Sequence, residues 1–157
     1  MPTFETTRPV AFSAEQMFAI VADVERYPDF LPLCQALCVR SREEREAETI
    51  LVATMTVGYN AIRESFTSRV VLRPRKREID VTYLDGPFTH LENRWRFRES
   101  PRGSEVHFYI DYAFASRMLA MLMGAVFDKA VRKYTDAFEA RARAVYGAPG
   151  TRMGSIT

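Results

Sequence analysis

Two stretches of strict alternation do most to limit what this chain can fold into. Leu91, Asn93, Trp95 and Phe97 interleave with Glu92, Arg94, Arg96 and Arg98. After the turn Ser100-Pro101-Arg102-Gly103, the apolar residues Val106, Phe108, Ile110, Tyr112 and Phe114 recur at every second position. Successive side chains of a strand point to opposite faces, so each stretch is a strand with one apolar and one polar side. Joined by a tight turn, they form an antiparallel hairpin that is dry on one face and wet on the other. They are not the strands of a buried parallel sheet. The dry face needs a cover.

Other strands are expected at Thr3–Val10, at residues 36–42 and at Thr49–Tyr59, the last two flanking an acidic tip of Glu43, Glu44, Glu46 and Glu48. In residues 62–72, Ile62, Phe66, Val70 and Leu72 share one face, and Arg63, Thr67 and Arg69 the other. Arg73-Pro74-Arg75-Lys76-Arg77 reads as a turn leading into Ile79, Val81 and Tyr83. Ser13 with Gln16 makes a capping box, and Phe12 with Met17 a hydrophobic staple, so a helix starts there with Met17, Ile20, Val21 and Val24 on its apolar side. Residues 117–146 contain no proline, and Leu119, Leu122, Val126, Ala130, Tyr134, Phe138, Ala142 and Val145 recur at helical spacing. This is the only element long enough to lie across the sheet.

The expected fold is therefore α+β: a curved antiparallel sheet of about six or seven strands wrapped round a long C-terminal helix, with an apolar cavity between them. A single domain should occupy residues 1–146, followed by a disordered tail over 147–157. At 157 residues, 47% hydrophobic and 27% charged, the chain can bury a real core and is not expected to be disordered. A net charge of +2 makes no demand for nucleic acid, and no DNA partner is expected.

Cys34 and Cys38 are separated by three residues rather than the two of a Cys-x-x-Cys site, and only two histidines occur, His90 and His107. Neither a metal site nor a disulfide is expected. Residues 1–8 lack a basic start followed by an apolar run, so no secretory signal is read there. The longest apolar run, 118–127, is about half of a bilayer span. A cytoplasmic location follows as the expectation, with membrane contact limited to a peripheral one at the inner face.

Two segments look built for something other than covering a core. Val24 to Cys34 packs Pro28 and Pro32 among Tyr27, Phe30, Leu31 and Leu33. The prolines forbid a continuous helix, while the apolar side chains do not suit a bare surface loop. A rigid, aromatic, irregular segment fits the mouth or wall of an apolar cavity. The helix start, with Met118, Leu119, Met121, Leu122, Met123, Val126 and Phe127, is apolar on nearly all sides. Its methionines are either ordinary core or adaptable lining for a greasy ligand.

Element order and three local patterns resemble the START-like, helix-grip superfamily. Within it they resemble the branch of coenzyme Q-binding proteins, ribosome-association toxins and polyketide cyclase/dehydrase-like proteins. The patterns are Val24, Tyr27-Pro28, Phe30-Leu31-Pro32 and Cys34; Gly86-Pro87-Phe88 followed by Leu91, Trp95 and Phe97; and Ala137-Phe138-Glu139 followed by Arg141-Ala142. Members commonly carry Trp where this chain has Leu33, which removes an aromatic face and an N–H donor.

The resemblance implies a protein that holds ubiquinone or a similar polyprenyl lipid and delivers or chaperones it for respiratory electron transport. It would have no catalytic cofactor, and its contacts with a membrane surface or a respiratory complex would be transient. Candidate ligand-binding residues are Tyr27, Phe30, Leu31 and Leu33; Phe88, Leu91, Asn93, Trp95, Phe97 and Tyr112; and Met118, Leu119, Leu122, Met123, Val126 and Phe127. Asn93 and Tyr112 face inward, where each serves either a ligand oxygen or a protein or water partner. Two rivals stand beside this reading. The outward arginines 94, 96 and 98, with the positive turn 73–77, could meet the large ribosomal subunit, although a charge run is more often a solvated face. A polyketide cyclase would need an acid or base in the cavity. No histidine–carboxylate set faces inward, since His107 and Asp111 fall on the register opposite Phe108 and Ile110.

Overall fold

The computed structural model describes residues 3–148. The hairpin expected in mid-chain is β6 (Phe88–Ser100) with β7 (Gly103–Phe114), and its register pairs Trp95 with Phe108 and Phe97 with Val106. The remaining strands are β1 (Thr3–Val10), β2 (Cys34–Glu44), β3 (Thr49–Tyr59), β4 (Ile62–Arg73) and β5 (Glu78–Asp85). They form one seven-stranded antiparallel sheet in the order β1-β7-β6-β5-β4-β3-β2. Strands β2 to β7 are a meander of sequence neighbours, and β1 closes on β7, leaving β1 and β2 as the edges. Strand β2 carries two register shifts against β3, at Cys34/Ala36 and Val39/Ser41, which bend the sheet at that edge.

Helix α1 (Ala14–Ala22) begins with the expected capping box. The Ser13 hydroxyl accepts from the Gln16 amide at 3.0 Å, and the Gln16 side chain accepts from the Ser13 amide at 2.9 Å. The chain passes from β1 into this helix hard against the β6–β7 turn. A Cβ at Gly103, whose φ is +149°, would stand 2.2 Å from the Val10 carbonyl oxygen, so only glycine fits there. The prolines then do what the sequence predicts: a 3₁₀ helix spans Val24–Asp29, and the chain turns into β2 through Leu33, which has a φ of 67°.

The C-terminal element departs from the single helix expected over 117–146. It is two helices, α2 (Arg117–Arg132) and α3 (Tyr134–Tyr146), broken at Lys133 with φ −102° and ψ 2°. The break lets α2 cross the far end of β7 while α3 packs on α1. Arg8, on the inner face of β1, holds the first turns of α3 by bonding Thr135 at 3.2 Å, Glu139 at 2.9 Å and Asp136. The expected tail lies, beyond residue 148, outside the described residues.

The core lies between the sheet's concave face and the helices. Trp95 stands 4.5 Å from Phe108 and 5.1 Å from Phe138 between ring centroids, and Phe97 meets Phe18 edge-on at 5.9 Å. On the convex face the arginine stripe is knitted to carboxylates. Asp80 accepts from Arg73 at 2.7 Å and from Arg96 at 2.9 Å, Arg98 lies 3.5 Å from Glu105, and Arg94 sits over the Tyr109 ring. His107 bonds Glu5 across β1 and β7 at 2.7 Å, so it lies outside the core, as its register predicts.

Burial works against the Asp80 carboxylate, yet the hydrogen bonds from Arg73 and Arg96 win and hold its pKa below the ordinary value. A carboxylate depressed in the folded state stabilises above the unfolded pKa, and that contribution is lost as pH falls through the folded one. Asp80→Asn should therefore cost about 1 kcal/mol at neutral pH, the upper end for pairs this exposed. The cost should shrink as pH falls below the ordinary carboxylate range and vanish once the folded carboxyl is protonated. Urea midpoints of both proteins across an acid series check this, and parallel curves would exclude Asp80 from acid stability.

Candidate ligand-binding cavity

The inward registers of β3 and β4 place Ala53 directly opposite Ser68. Both are small, and their neighbours on the same face, Met55, Phe66 and Val70, are large, so the side-chain layer is thinnest at this pair. A cavity of about 90 Å³ lies above it. Ile79, Val81, Leu91, Asn93, Trp95 and Ile110 continue the sheet side. Val24 and Tyr27 of the 3₁₀ helix and Leu31 just after it close one flank with Leu37, and Phe127 of α2 with Tyr134 and Phe138 of α3 forms the roof. Ligand pockets commonly enclose about 300–1,000 Å³, so this one holds part of a lipid only if its walls move apart.

The lining contains no carboxylate, imidazole, ammonium or guanidinium group. Its polar side-chain N and O atoms belong to Tyr27, Ser68, Asn93, Trp95 and Tyr134. Burial, with Tyr134 and Cys34 nearby, raises the Tyr27 pKa far above the ordinary phenol value, and Tyr134 is raised for the same leading reason. Both phenols are therefore neutral donors. The Tyr27 hydroxyl donates to the Val21 carbonyl. Asn93 donates to the Tyr109 carbonyl at 2.9 Å and accepts from the Trp95 indole at 3.1 Å, so the protein engages both ends of its amide. Cys34 is a buried free thiol with its pKa pushed up to about 11 by burial, and Cys38 is free and exposed.

Of the residues proposed from sequence, Tyr27, Leu31, Leu91, Asn93, Trp95 and Phe127 come together in this lining. Phe30 stands behind it, edge-on to Phe138 at 5.3 Å, and Phe97 lies beyond Trp95. Leu33 is outside the lining; its carbonyl accepts from the Gly58 amide at 3.0 Å in the turn into β2. Leu33 is thus part of the turn into β2 and not of the cavity wall.

Phe88 and Tyr112 lie outside the lining, in an aromatic cluster with Phe114 that shares Phe66 and Phe127 with the cavity. Burial first, then Asp128, pushes the Tyr112 phenol up to about 12. Gly86 shapes the turn before this cluster: its φ is +143°, and a Cβ there would meet the Phe66 Cβ at 2.6 Å.

Helix α2 divides its apolar residues between two sides. Met123 and Phe127 are buried, Leu119 and Val126 are half-buried, and Met118, Met121 and Leu122 are exposed at 71%, 85% and 55%. Met118 and Leu122 thus face away from the cavity, because an all-round apolar helix start does not tell which side meets the sheet.

Sequence reading missed Val24, Leu37, Ala53, Met55, Phe66, Ser68, Val70, Ile79, Val81, Ile110, Tyr134 and Phe138 as lining. The signal for Ser68 was present, since it continues the inward register of Phe66 and Val70. Among the described residues no cluster of three or more His, Cys, Asp or Glu could hold a metal ion, and no helix is long and apolar enough to cross a membrane.

Known proteins match this arrangement over nearly its whole length. The ribosome association toxin RatA of Vibrio cholerae is 36% identical over 139 residues, spanning 88% of this chain and 93% of that protein. The mitochondrial coenzyme Q-binding protein COQ10 of Dictyostelium discoideum is 30% identical over 148 residues, 92% of this chain and 71% of that protein. The solution structure of an 18 kDa Caulobacter crescentus protein superposes with a TM-score of 0.77 at 34% identity, covering 94% of this chain and all of that one. Residues 10–139 match the family described as polyketide cyclase / dehydrase and lipid transport. With its sheet, roof helices and enclosed apolar hollow, the chain belongs to that family and has the helix-grip, START-like fold.

Proposed function

We propose that this protein is a carrier, not an enzyme, and that it holds ubiquinone or a related polyprenyl lipid in the cavity and delivers it to respiratory electron transport. The observation that carries this reading is the uncharged lining: apolar walls with a few neutral hydroxyl and amide groups. Such a lining stabilises an isoprenoid tail by about 25 cal/mol per Å² removed from water, and it offers no acid or base for a cyclisation. Similarity to a protein named for coenzyme Q binding supports the head-group class. Mass spectrometry of an organic extract from the purified protein tests the reading. Near-stoichiometric quinone is expected, and an empty extract from folded protein overturns it.

Uptake requires the roof to move, and α2 is the part of the roof with its outer side free. That side runs from Met118, Met121, Leu122 and Ala125 to Lys129, Arg132 and Lys133, all exposed. An apolar patch continued by cations suits a shallow seat in an anionic lipid surface. Met121→Asp should reduce co-sedimentation with vesicles containing phosphatidylglycerol about tenfold, while the melting temperature stays within a degree or two. Undiminished co-sedimentation would place the lipid contact elsewhere.

A second reading is favoured by the relatives named as ribosome association toxins: binding to the large ribosomal subunit. It would use the convex face, where Arg73, Arg96 and Arg98 already meet carboxylates of the same sheet. Overexpression followed by a sucrose-gradient profile decides it, and normal subunit joining removes it.

A further inference from the structure

We propose that the Ser68 hydroxyl is the polar anchor of the cavity and donates a hydrogen bond to a carbonyl oxygen on the head group of the bound lipid. This deepens the lipid-carrier reading and rests on it. Ser68 is 5% exposed, and its Oγ is buried with no hydrogen-bond partner in the protein. Buried hydroxyls are nearly always partnered, so the partner must come from whatever fills the cavity that Ser68 lines.

The other polar groups of the lining are poorer choices. Asn93 is engaged by the Tyr109 carbonyl and the Trp95 indole, and Tyr27 by the Val21 carbonyl. Tyr134 supplies a second phenol from the roof, but its position depends on helices, whereas Ser68 is fixed within the sheet. The register shift between Thr67 and Ser68 pairs Ser68 with Tyr83 on β5, while on β3 it faces Ala53. Opposite an alanine, Ser68 stands at the floor of the hollow, where the side-chain layer is thinnest. The chemistry that suits this floor is one flat, weakly polar group bearing an acceptor oxygen, followed by hydrocarbon. A quinone ring has that form. A plain hydrocarbon would leave the hydroxyl unpaired.

Trp95 is the only tryptophan and lines the same cavity, so its fluorescence reports occupancy. Quenching by a ubiquinone with a saturated ten-carbon tail gives the affinity for a carbonyl-bearing probe. Calorimetric titration with decylbenzene, done without quinone, gives the affinity for a similar tail and ring without oxygens. Ser68→Ala should weaken the quinone about five- to tenfold, leave decylbenzene unchanged or slightly tighter, and not lower the melting temperature of the ligand-free protein. Ser68→Thr, which keeps the hydroxyl, should keep more of the quinone preference than Ser68→Ala.

An unchanged quinone affinity in Ser68→Ala, or an equal loss for both probes, overturns the assignment. So does wild-type protein that binds decylbenzene but not the quinone, a result that leaves the apolar cavity intact as a lipid site. Wild-type protein that binds neither probe removes the carrier reading itself, and the anchor with it.

Discussion

Replacing Phe88 by alanine is expected to lower the unfolding free energy by about 3–5 kcal/mol, the range for deleting a buried aromatic ring. Phe88 is 5% exposed, and its ring is 4.9 Å from Phe114, 5.3 Å from Phe66, 5.6 Å from Phe127, 5.7 Å from Tyr83 and 6.0 Å from Tyr112. These partners come from β4, β5, β7 and α2, so one side chain joins four elements beside the cavity. Because the neighbours are rigid rings, they cannot collapse into the space left behind, and the void term adds to the lost transfer energy. The loss would be a large share of the roughly 5–15 kcal/mol available to a domain of this kind. Urea denaturation measures it. A change below about 1 kcal/mol would mean that the cluster relaxes freely and is not a fixed part of the fold.

The second large effect is on binding. Ala53→Leu should reduce the lipid recovered from purified protein at least tenfold while leaving the melting temperature unchanged or raised. The added carbons project from the cavity floor beside Ser68 into a space of about 90 Å³, enough to accept them without forcing the backbone apart. Filling an apolar hollow commonly stabilises a protein by about 0.5–2 kcal/mol, opposite in sign to the Phe88 variant. Stability gained with lipid lost is a combination that a merely damaged fold does not produce. Full lipid recovery from Ala53→Leu would mean that the ligand lies outside the hollow.

What the sequence disclosed follows from how each feature is encoded. The β6–β7 hairpin was legible because one face is buried and the other wet, which writes a period of two into Leu91 to Phe97 and Val106 to Phe114. The capping box at Ser13 and the prolines at 28 and 32 act locally and were equally plain. The break at Lys133 was not, because the stripe of Phe127, Val131, Tyr134 and Phe138 runs through it with neither proline nor glycine. It reflects tertiary forces, with Arg8 holding α3 and a curved sheet beneath α2. The cavity was legible only at its large residues, such as Tyr27, Leu31 and Trp95. Its floor depends on Ala53 and Ser68, fifteen positions apart. Neither signals emptiness until strand pairing sets one against the other.

The two bulges of β2 bear on whether one copy of the protein can pair with another. A sheet with free edges invites another chain to add a strand, and an exposed apolar tip such as Met118 and Met121 raises the local encounter rate. Strand β2 meets that hazard with a kinked outline and a charged run, Arg40, Arg42, Glu43 and Glu44; on β1, Pro9 lacks an amide to donate. Neither edge is the long, flat, uncharged ribbon from which fibres grow. The protein can therefore keep a sticky helix exposed to solvent without turning that stickiness into stacking of its own sheets.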